Sequence, residues 1–203
     1  MELVLAIFIP YLLGAIPFGL ILTKIFLKKD VRKIGSGNIG ATNVLRTGNK
    51  IVGYSTLILD ILKSVVPIIY IKINYPDLIY ISSLSVFLGH VFPIWLKFKG
   101  GKGVATYLGI LFSLSIELSL LFIFTWIVVS LIFKYSSLSS MFSSLTVLVV
   151  TIIKDTALRS FDIESKFDQD LTFVLFIFFI LIIFTHRKNI LNLKNKNEGK
   201  IKI

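Results

Sequence analysis

The chain has 203 residues, 55% of them hydrophobic, a mean hydropathy of +0.87 and a formal net charge of +11. So apolar a composition excludes an ordinary soluble domain, and in a membrane protein the surplus charge marks cytoplasmic loops and anionic lipid rather than nucleic acid. With no Cys and only two His, disulfides, a thiol nucleophile and a His-rich metal site are excluded, and neither a metal nor a cofactor is expected.

Met1-Glu2 lacks a basic leader, and Lys24, Lys28 and Lys29 follow the first apolar run. That order reads as a retained first span with its N-terminus outside. Apolar runs occur near 3–23, 51–73, 78–96, 104–133, 138–153 and 171–185. A spanning helix needs about 20 residues. The run 104–133 is long for one helix and is interrupted by Ser115-Ile116-Glu117, so it reads as one tilted span or two short ones. Two give seven spans in all and place 17 of the 22 Lys and Arg in the cytoplasm. One would expel the basic tail, against the positive-inside bias. The expected fold is therefore an all-α integral membrane protein of about seven transmembrane helices. Its N-terminus is outside, its C-terminus is cytoplasmic, and residues 1–203 form a single domain. Segment 154–170 reads as an external loop. The tail 186–203 is rich in Lys and Asn, with an end expected to be mobile.

Three stretches on the cytoplasmic side carry chemistry: loops near 30–50, 97–106 and 186–192. In "GSGNIGATN" (35–43), Gly35, Gly37 and Gly40 match the spacing of a dinucleotide fingerprint. A membrane helix precedes it, however, and Ala41 stands where a P-loop needs Lys. Glycines do let backbone N–H groups converge on an anion. Ser36, Asn38, Thr42 and Asn43 add short polar side chains, and Arg46 follows one turn after Thr42. A tight turn with an Asn cap is the alternative from this stretch alone. A helix starting near Ile39 would add its N-terminus to the anion site. The second stretch, "GHVFPIWLKFKGGKGVATYLG" (89–109), places His90 near the end of a span. Lys97 and Lys99 follow, then a turn of Gly101, Lys102 and Gly103, then Thr106. By themselves Lys97 and Lys99 read as snorkelling interface residues. Two glycine-rich cationic loops on one membrane face make a phosphate site. The third, "HRKNI" (186–190), is a stop-transfer cluster if taken alone. Asp60 and Lys63, at i,i+3 within an apolar run, are a structural ion pair or a substrate contact. "YSSLSS" (135–140) adds hydroxyls near the same face, suited to helix–helix hydrogen bonds.

With these motifs in this order, joined by "LLGAIPFGLILTK" (12–24), "LDILK" (59–63) and "YSSLSS", the chain resembles the acyl-phosphate-dependent glycerol-3-phosphate acyltransferases of bacteria, the PlsY family. The resemblance covers nearly the whole chain and is weakest at 110–130 and 145–185. It implies a multi-pass enzyme of the bacterial inner membrane with its active site facing the cytoplasm. Such an enzyme moves a fatty acyl group from acyl phosphate to the sn-1 hydroxyl of glycerol-3-phosphate, giving lysophosphatidic acid and phosphate. The partners implied are these substrates, membrane lipids and the enzyme supplying acyl phosphate, with no nucleic acid. Carried over by motif, Ser36, Arg46, His90, Lys102, His186 and Asn189 are the candidate catalytic residues. Candidates for binding substrate or phosphate are Gly35, Gly37, Asn38, Gly40, Thr42, Asn43, Lys63, Gly101, Gly103 and Thr106. The chain departs from the family's usual pattern where Lys188 replaces an acid, Asn192 an Arg and Ser64 a Gly. The H-x-x-x-x-D pattern of other glycerolipid acyltransferases is absent, since Trp95 and Leu191 stand at that spacing from the two His. The base is then His90, His186 or a phosphate of the substrate itself. A transporter of organic phosphates is the alternative class, and it would be expected to show an internal repeat; none is detected.

Overall fold

The computed structural model describes residues 1–160 and 169–201, apart from the side chains of Arg159 and Gln169. Asp162, Glu164, Lys166 and Asp168 of the expected external loop lie outside the described residues. Among the described residues all regular structure is helical. The chain forms two compact units, Met1–Ile116 and Glu117–Ile203.

The first unit opens with α1 (Glu2–Gly14) and α2 (Phe18–Leu27), which divide the apolar run expected at 3–23. The cause is Pro17, which has no N–H to donate and disfavours helical backbone at Ile16. The Ile16 carbonyl, released from the ladder, accepts from Lys63 Nζ at 2.9 Å. A loop containing the short α3 (Ala41–Leu45) leads to α4 (Lys50–Asn74), whose start is capped by Asn49, accepting from Val52 N at 3.0 Å. Then come α5 (Ile79–Val91) and α6 (Val104–Leu114).

Small residues let these helices touch at backbone distance. A Cβ on Gly14 would strike the Val86 carbonyl, and one on Gly89 the Tyr11 carbonyl, so α1 and α5 pack closely. Ser82 Oγ donates to Ala6 O across that seam at 2.8 Å, and Tyr11 Oη donates to Phe92 O at 2.8 Å. Gly109 gives α6 the same close approach to Ile61 and Ser64 of α4. There Ser64 Oγ donates to Thr106 O at 3.0 Å and Lys72 Nζ to Ser113 O at 2.7 Å. Small residues and interhelical hydrogen bonds are how helices associate where lipid removes the hydrophobic drive.

Helix α4 is polar inward and apolar outward. Thr56, Asp60, Lys63 and Ser64 are buried, while Ile51, Tyr54, Ile58, Leu62, Val66, Ile69 and Ile73 form an exposed stripe at helical spacing. At 1.5 Å per residue its 25 residues extend about 37 Å.

The second unit contains α7 (Ile116–Phe133), α8 (Ser136–Ser160), α9 (Gln169–Thr185) and α10 (Arg187–Lys194). The break expected near Ser115 is present: that residue is extended (φ −154°, ψ 121°) between α6 and α7. With 18 residues, α7 exceeds the short half-span expected there. Helix α8 packs on α9 and buries Ser137, Ser140, Ser144, Val147 and Thr151 along one face. Trp126 Nε1 of α7 donates to Ser140 Oγ at 3.2 Å.

By length and composition, Glu2–Leu27, Pro76–Leu96, Ile116–Phe133 and Ser136–Leu158 can each cross a membrane. Helices α9 and α10 meet at a 56° bend and add a fifth if counted together. The apolar α6 is shorter.

Candidate active site

The first loop is organised around Asn43. It is buried, and its side chain makes four hydrogen bonds to backbone. Nδ2 donates to Val31 O at 3.0 Å, Ile34 O at 2.9 Å and Asn38 O at 2.8 Å, while Oδ1 accepts from Ser36 N at 2.9 Å. Two hydrogens serving three carbonyls means that one is shared. Beneath the loop lie Leu20, Val31, Ile39, Val44 and Val52, with Leu96 of the second motif packed against them. Gly35 has φ +53°, and a Cβ there would meet Asn43 Oδ1 and Arg46 Cδ. Only glycine combines that backbone with so close a side-chain approach.

Ser36, Gly37 and Arg46 are exposed, and Asn38, Gly40 and Thr42 half-buried. Lys29, Lys33 and Arg46 line an open depression with Asp30, Ile34 and Thr47. The Arg32 guanidinium donates to Asp30 Oδ2 at 2.6 Å and holds that carboxyl well below the usual carboxylate range, so it stays ionised beside the cations. Helix α3 begins at Ala41 rather than near Ile39 and has five residues, too few to build a macrodipole of consequence.

The second loop rests on a buried polar junction. Lys63 Nζ lies 2.8 Å from Asp60 Oδ1, and His90 Nδ1 lies 3.9 Å from the same oxygen, with all three side chains under 5% exposed. Neither Asp60 Oδ1 nor His90 Nδ1 has a well-directed hydrogen bond. His90 carries the loop: its carbonyl accepts from Gly101 N at 3.1 Å, and a Cβ on Gly101 would strike its ring. Gly103 starts α6 with φ +83° and lies against the Phe87 ring, which a side chain would displace. Between them Lys102 is half-buried. The turn before it passes through Lys97 and Phe98, both left-handed at φ 52° and 60°, an uncommon backbone for residues other than glycine.

In the second unit, His186 sits at the bend between α9 and α10. Its ring is 1% exposed, and Nδ1 lies 2.8 Å from Ile182 O, a distance that makes Nδ1 the donor. Asn189 is buried, and its Nδ2 donates to Glu198 Oε1 at 2.6 Å. The same oxygen accepts from Ser137 Oγ at 3.0 Å.

The model of the family described as glycerol-3-phosphate acyltransferase matches residues 4–196. This chain belongs to that family. Its relatives include the glycerol-3-phosphate acyltransferase of Pelagibacter ubique (strain HTCC1062), 60% identical over 203 residues and covering 100% of both chains. That of Mesorhizobium japonicum (strain LMG 29417 / CECT 9101 / MAFF 303099) is 46% identical over 98% of this chain and 96% of its own. Among solved structures, the integral membrane glycerol 3-phosphate acyltransferase PlsY (YgiH), in its glycerol 3-phosphate form, superposes with a TM-score of 0.88. It is 31% identical, and the match covers 100% of this chain and 96% of that one. Its lysophosphatidic acid form gives 0.86 at 30% identity with the same coverage. The chain is thus an integral membrane acyltransferase with the PlsY fold.

Within this acyltransferase the expected site residues fall into different settings. Ser36, Asn38, Thr42 and Arg46 share the first loop with Gly35, Gly37 and Gly40, while Asn43 shapes that loop from beneath. His90, Lys63 and Thr106 lie in the buried junction under Gly101, Lys102 and Gly103. His186 and Asn189 share the bend of the second unit. Sequence reading missed Glu198 and the approach of Asp60 to His90. Asp60 was legible as the partner of Lys63, but its approach to His90 depends on how α4 and α5 pack. Glu198 gave no signal beyond being an acid in a Lys/Asn-rich tail.

Proposed function

We propose that this acyltransferase moves a fatty acyl group from acyl phosphate to the sn-1 hydroxyl of glycerol-3-phosphate, releasing lysophosphatidic acid and phosphate. It works as a single membrane-embedded domain at the cytoplasmic face of the bacterial inner membrane, with seven spans, the N-terminus outside and the tail inside. The outward apolar stripe and inward polar face of α4 support its counting as a span beyond those recognised by hydropathy. The observation that carries the reaction is the first loop. Asn43 spends its side chain on backbone, which keeps Ser36 and Arg46 at the surface beside a depression lined by Lys29 and Lys33. Both substrates carry phosphate, and charge-assisted hydrogen bonds from Arg and Lys suit that group. PlsY, solved in glycerol 3-phosphate and lysophosphatidic acid forms, supports the same acceptor and product here.

In the reaction the sn-1 oxygen bonds to the acyl carbonyl carbon, and the bond from that carbon to the phosphate oxygen breaks. The hydroxyl proton passes to the departing phosphate. Burial of both histidine rings supports this substrate-assisted route over a histidine base. The loops then act by positioning and by stabilising charge on the carbonyl oxygen and the leaving phosphate.

The test is turnover by purified protein in detergent, where transport cannot be scored. Synthetic acyl phosphate with glycerol-3-phosphate should give lysophosphatidic acid and phosphate in equal amounts, and acyl-CoA should give neither. Turnover with acyl-CoA alone, or with no donor, would overturn the reading. Topology is tested in this Cys-free chain by single Cys probes at 162 and 196. An impermeant reagent should label them from opposite sides of sealed vesicles, and labelling from one side would refute the seven-span parity.

A further inference from the structure

The C-terminal tail brings a carboxylate to the third motif. Glu198 Oε1 accepts from Asn189 Nδ2 at 2.6 Å and from Ser137 Oγ at 3.0 Å. Both donors belong to buried residues, one in α10 and one in the first turn of α8. Contacts that do not involve the carboxylate fix the tail on either side of it. Asn197 N donates to Asn192 O at 2.8 Å, and Ile201 N donates to Lys134 O at 2.8 Å. Lys200 Nζ lies 5.9 Å from the centre of the Tyr135 ring.

An amide side chain can exchange its N and O ends by a half-turn unless a neighbour accepts only or donates only. An ionised carboxylate accepts only. Held against Glu198, the Asn189 amide keeps Nδ2 toward the tail and Oδ1 away from it. Oδ1 is an acceptor, and an acceptor complements a hydroxyl rather than a phosphate oxygen.

We propose that Glu198 is a positioning residue for acyl transfer. By accepting from Ser137 and Asn189 together, it locks the Asn189 amide so that Oδ1 is held in one direction for the acyl-accepting hydroxyl. The role rests on the reaction proposed above. The rival role for the same contacts is a tail carboxylate standing in for a substrate phosphate and leaving when substrate binds. The anchors on both sides of Glu198 favour the lock, because a displaced stand-in would have to break them as well.

The experiment compares kcat and KM for glycerol-3-phosphate in full-length wild type, Glu198→Ala and Glu198→Gln. Glutamine matches glutamate in size but both donates and accepts, so it lets the Asn189 amide turn over. Glu198→Ala and Glu198→Gln should each lose about tenfold in kcat, the scale of one hydrogen bond to a charged group. An unchanged Glu198→Ala, a lower KM in that variant, or a Glu198→Gln within about threefold of wild type would each overturn the proposal. Should Glu198→Ala not fold, Glu198→Asp, one methylene short of both donors, replaces it with the same expectation. A melting-temperature cycle of Glu198→Ala, Asn189→Ala and the double variant gives a readout independent of turnover. Coupled losses support the lock, and additive losses overturn it. A wild type without acyl transfer would defeat the functional reading and leave the lock to be decided by that cycle.

Discussion

Asn43 in the first unit and Asn189 in the second are both buried amides in motif segments, and they are held in opposite ways. Asn43 bonds four backbone groups, spread from Val31 to Asn38. Asn189 bonds a side chain nine residues along the chain. A carbonyl stays in place whatever side chain its residue carries, so the first loop depends on Asn43 and little on the identity of its partners. The arrangement at Asn189 depends on a second side chain that a single substitution removes.

Breaking the first side of this comparison should have the largest effect. Asn43→Ala takes its partner from Ser36 N and Asn38 O, while Val31 O and Ile34 O keep the backbone donors Ile34 N and Gly37 N. Each group left buried and unsatisfied costs about 1–3 kcal/mol, so activity should fall by about a hundredfold or more as the loop loses its shape. Proteolysis within 30–48 should accelerate in parallel. Asn43→Asp should not rescue, since it would turn oxygen toward three carbonyls.

Next come the cations that the loops display. Arg46→Ala and Lys102→Ala should each lose about tenfold to a few hundredfold in kcat/KM, with melting temperatures unchanged, from about 1.5–3 kcal/mol per charge-assisted contact with phosphate. Ordinary kinetics in both variants would remove them from the site.

Two glycines sharpen the comparison further. Gly35 and Gly48 both have positive φ, 53° and 88°, but a Cβ on Gly35 meets Asn43 and Arg46 whereas one on Gly48 meets nothing within 4 Å. Gly48→Ala should therefore show only the left-handed backbone cost of about 1–2 kcal/mol in a melting experiment, with activity kept. Gly35→Ala should lose activity as well. Equal behaviour would mean that the close fit around Asn43 does not matter. The smallest effect is expected at the exposed Lys154–Glu117 pair. There, Lys154→Ala should change stability by about 1 kcal/mol or less.

Much of the architecture was legible because lipid imposes a coarse rule that hydropathy reads directly. The interruption at Ser115 was visible for that reason, since Ser and Glu117 break an apolar run. The break at Pro17 was not, because proline barely alters hydropathy while it removes a donor. The glycine loops were legible as loops, and Gly35, Gly37 and Gly103 take the left-handed backbone that favours glycine. The division of labour within the first loop was not, since Ser36, Asn38 and Asn43 are equally short and polar in sequence and only folding decides which one turns inward. The return of the tail through Ile201 onto Lys134 was not legible in its composition. A single acid among lysines and asparagines has no period to reveal its partners.

The central claim is that the chain supplies position and charge while the substrate's phosphate takes the proton. The pH–rate profile of kcat in His90→Gln and His186→Gln tests it most directly, because glutamine hydrogen-bonds but does not serve as a base. The account predicts that the acidic limb persists in both variants. A loss of about 10³-fold or more in kcat in either variant, with glycerol-3-phosphate binding intact and the acidic limb gone, would make that histidine the base and contradict the account.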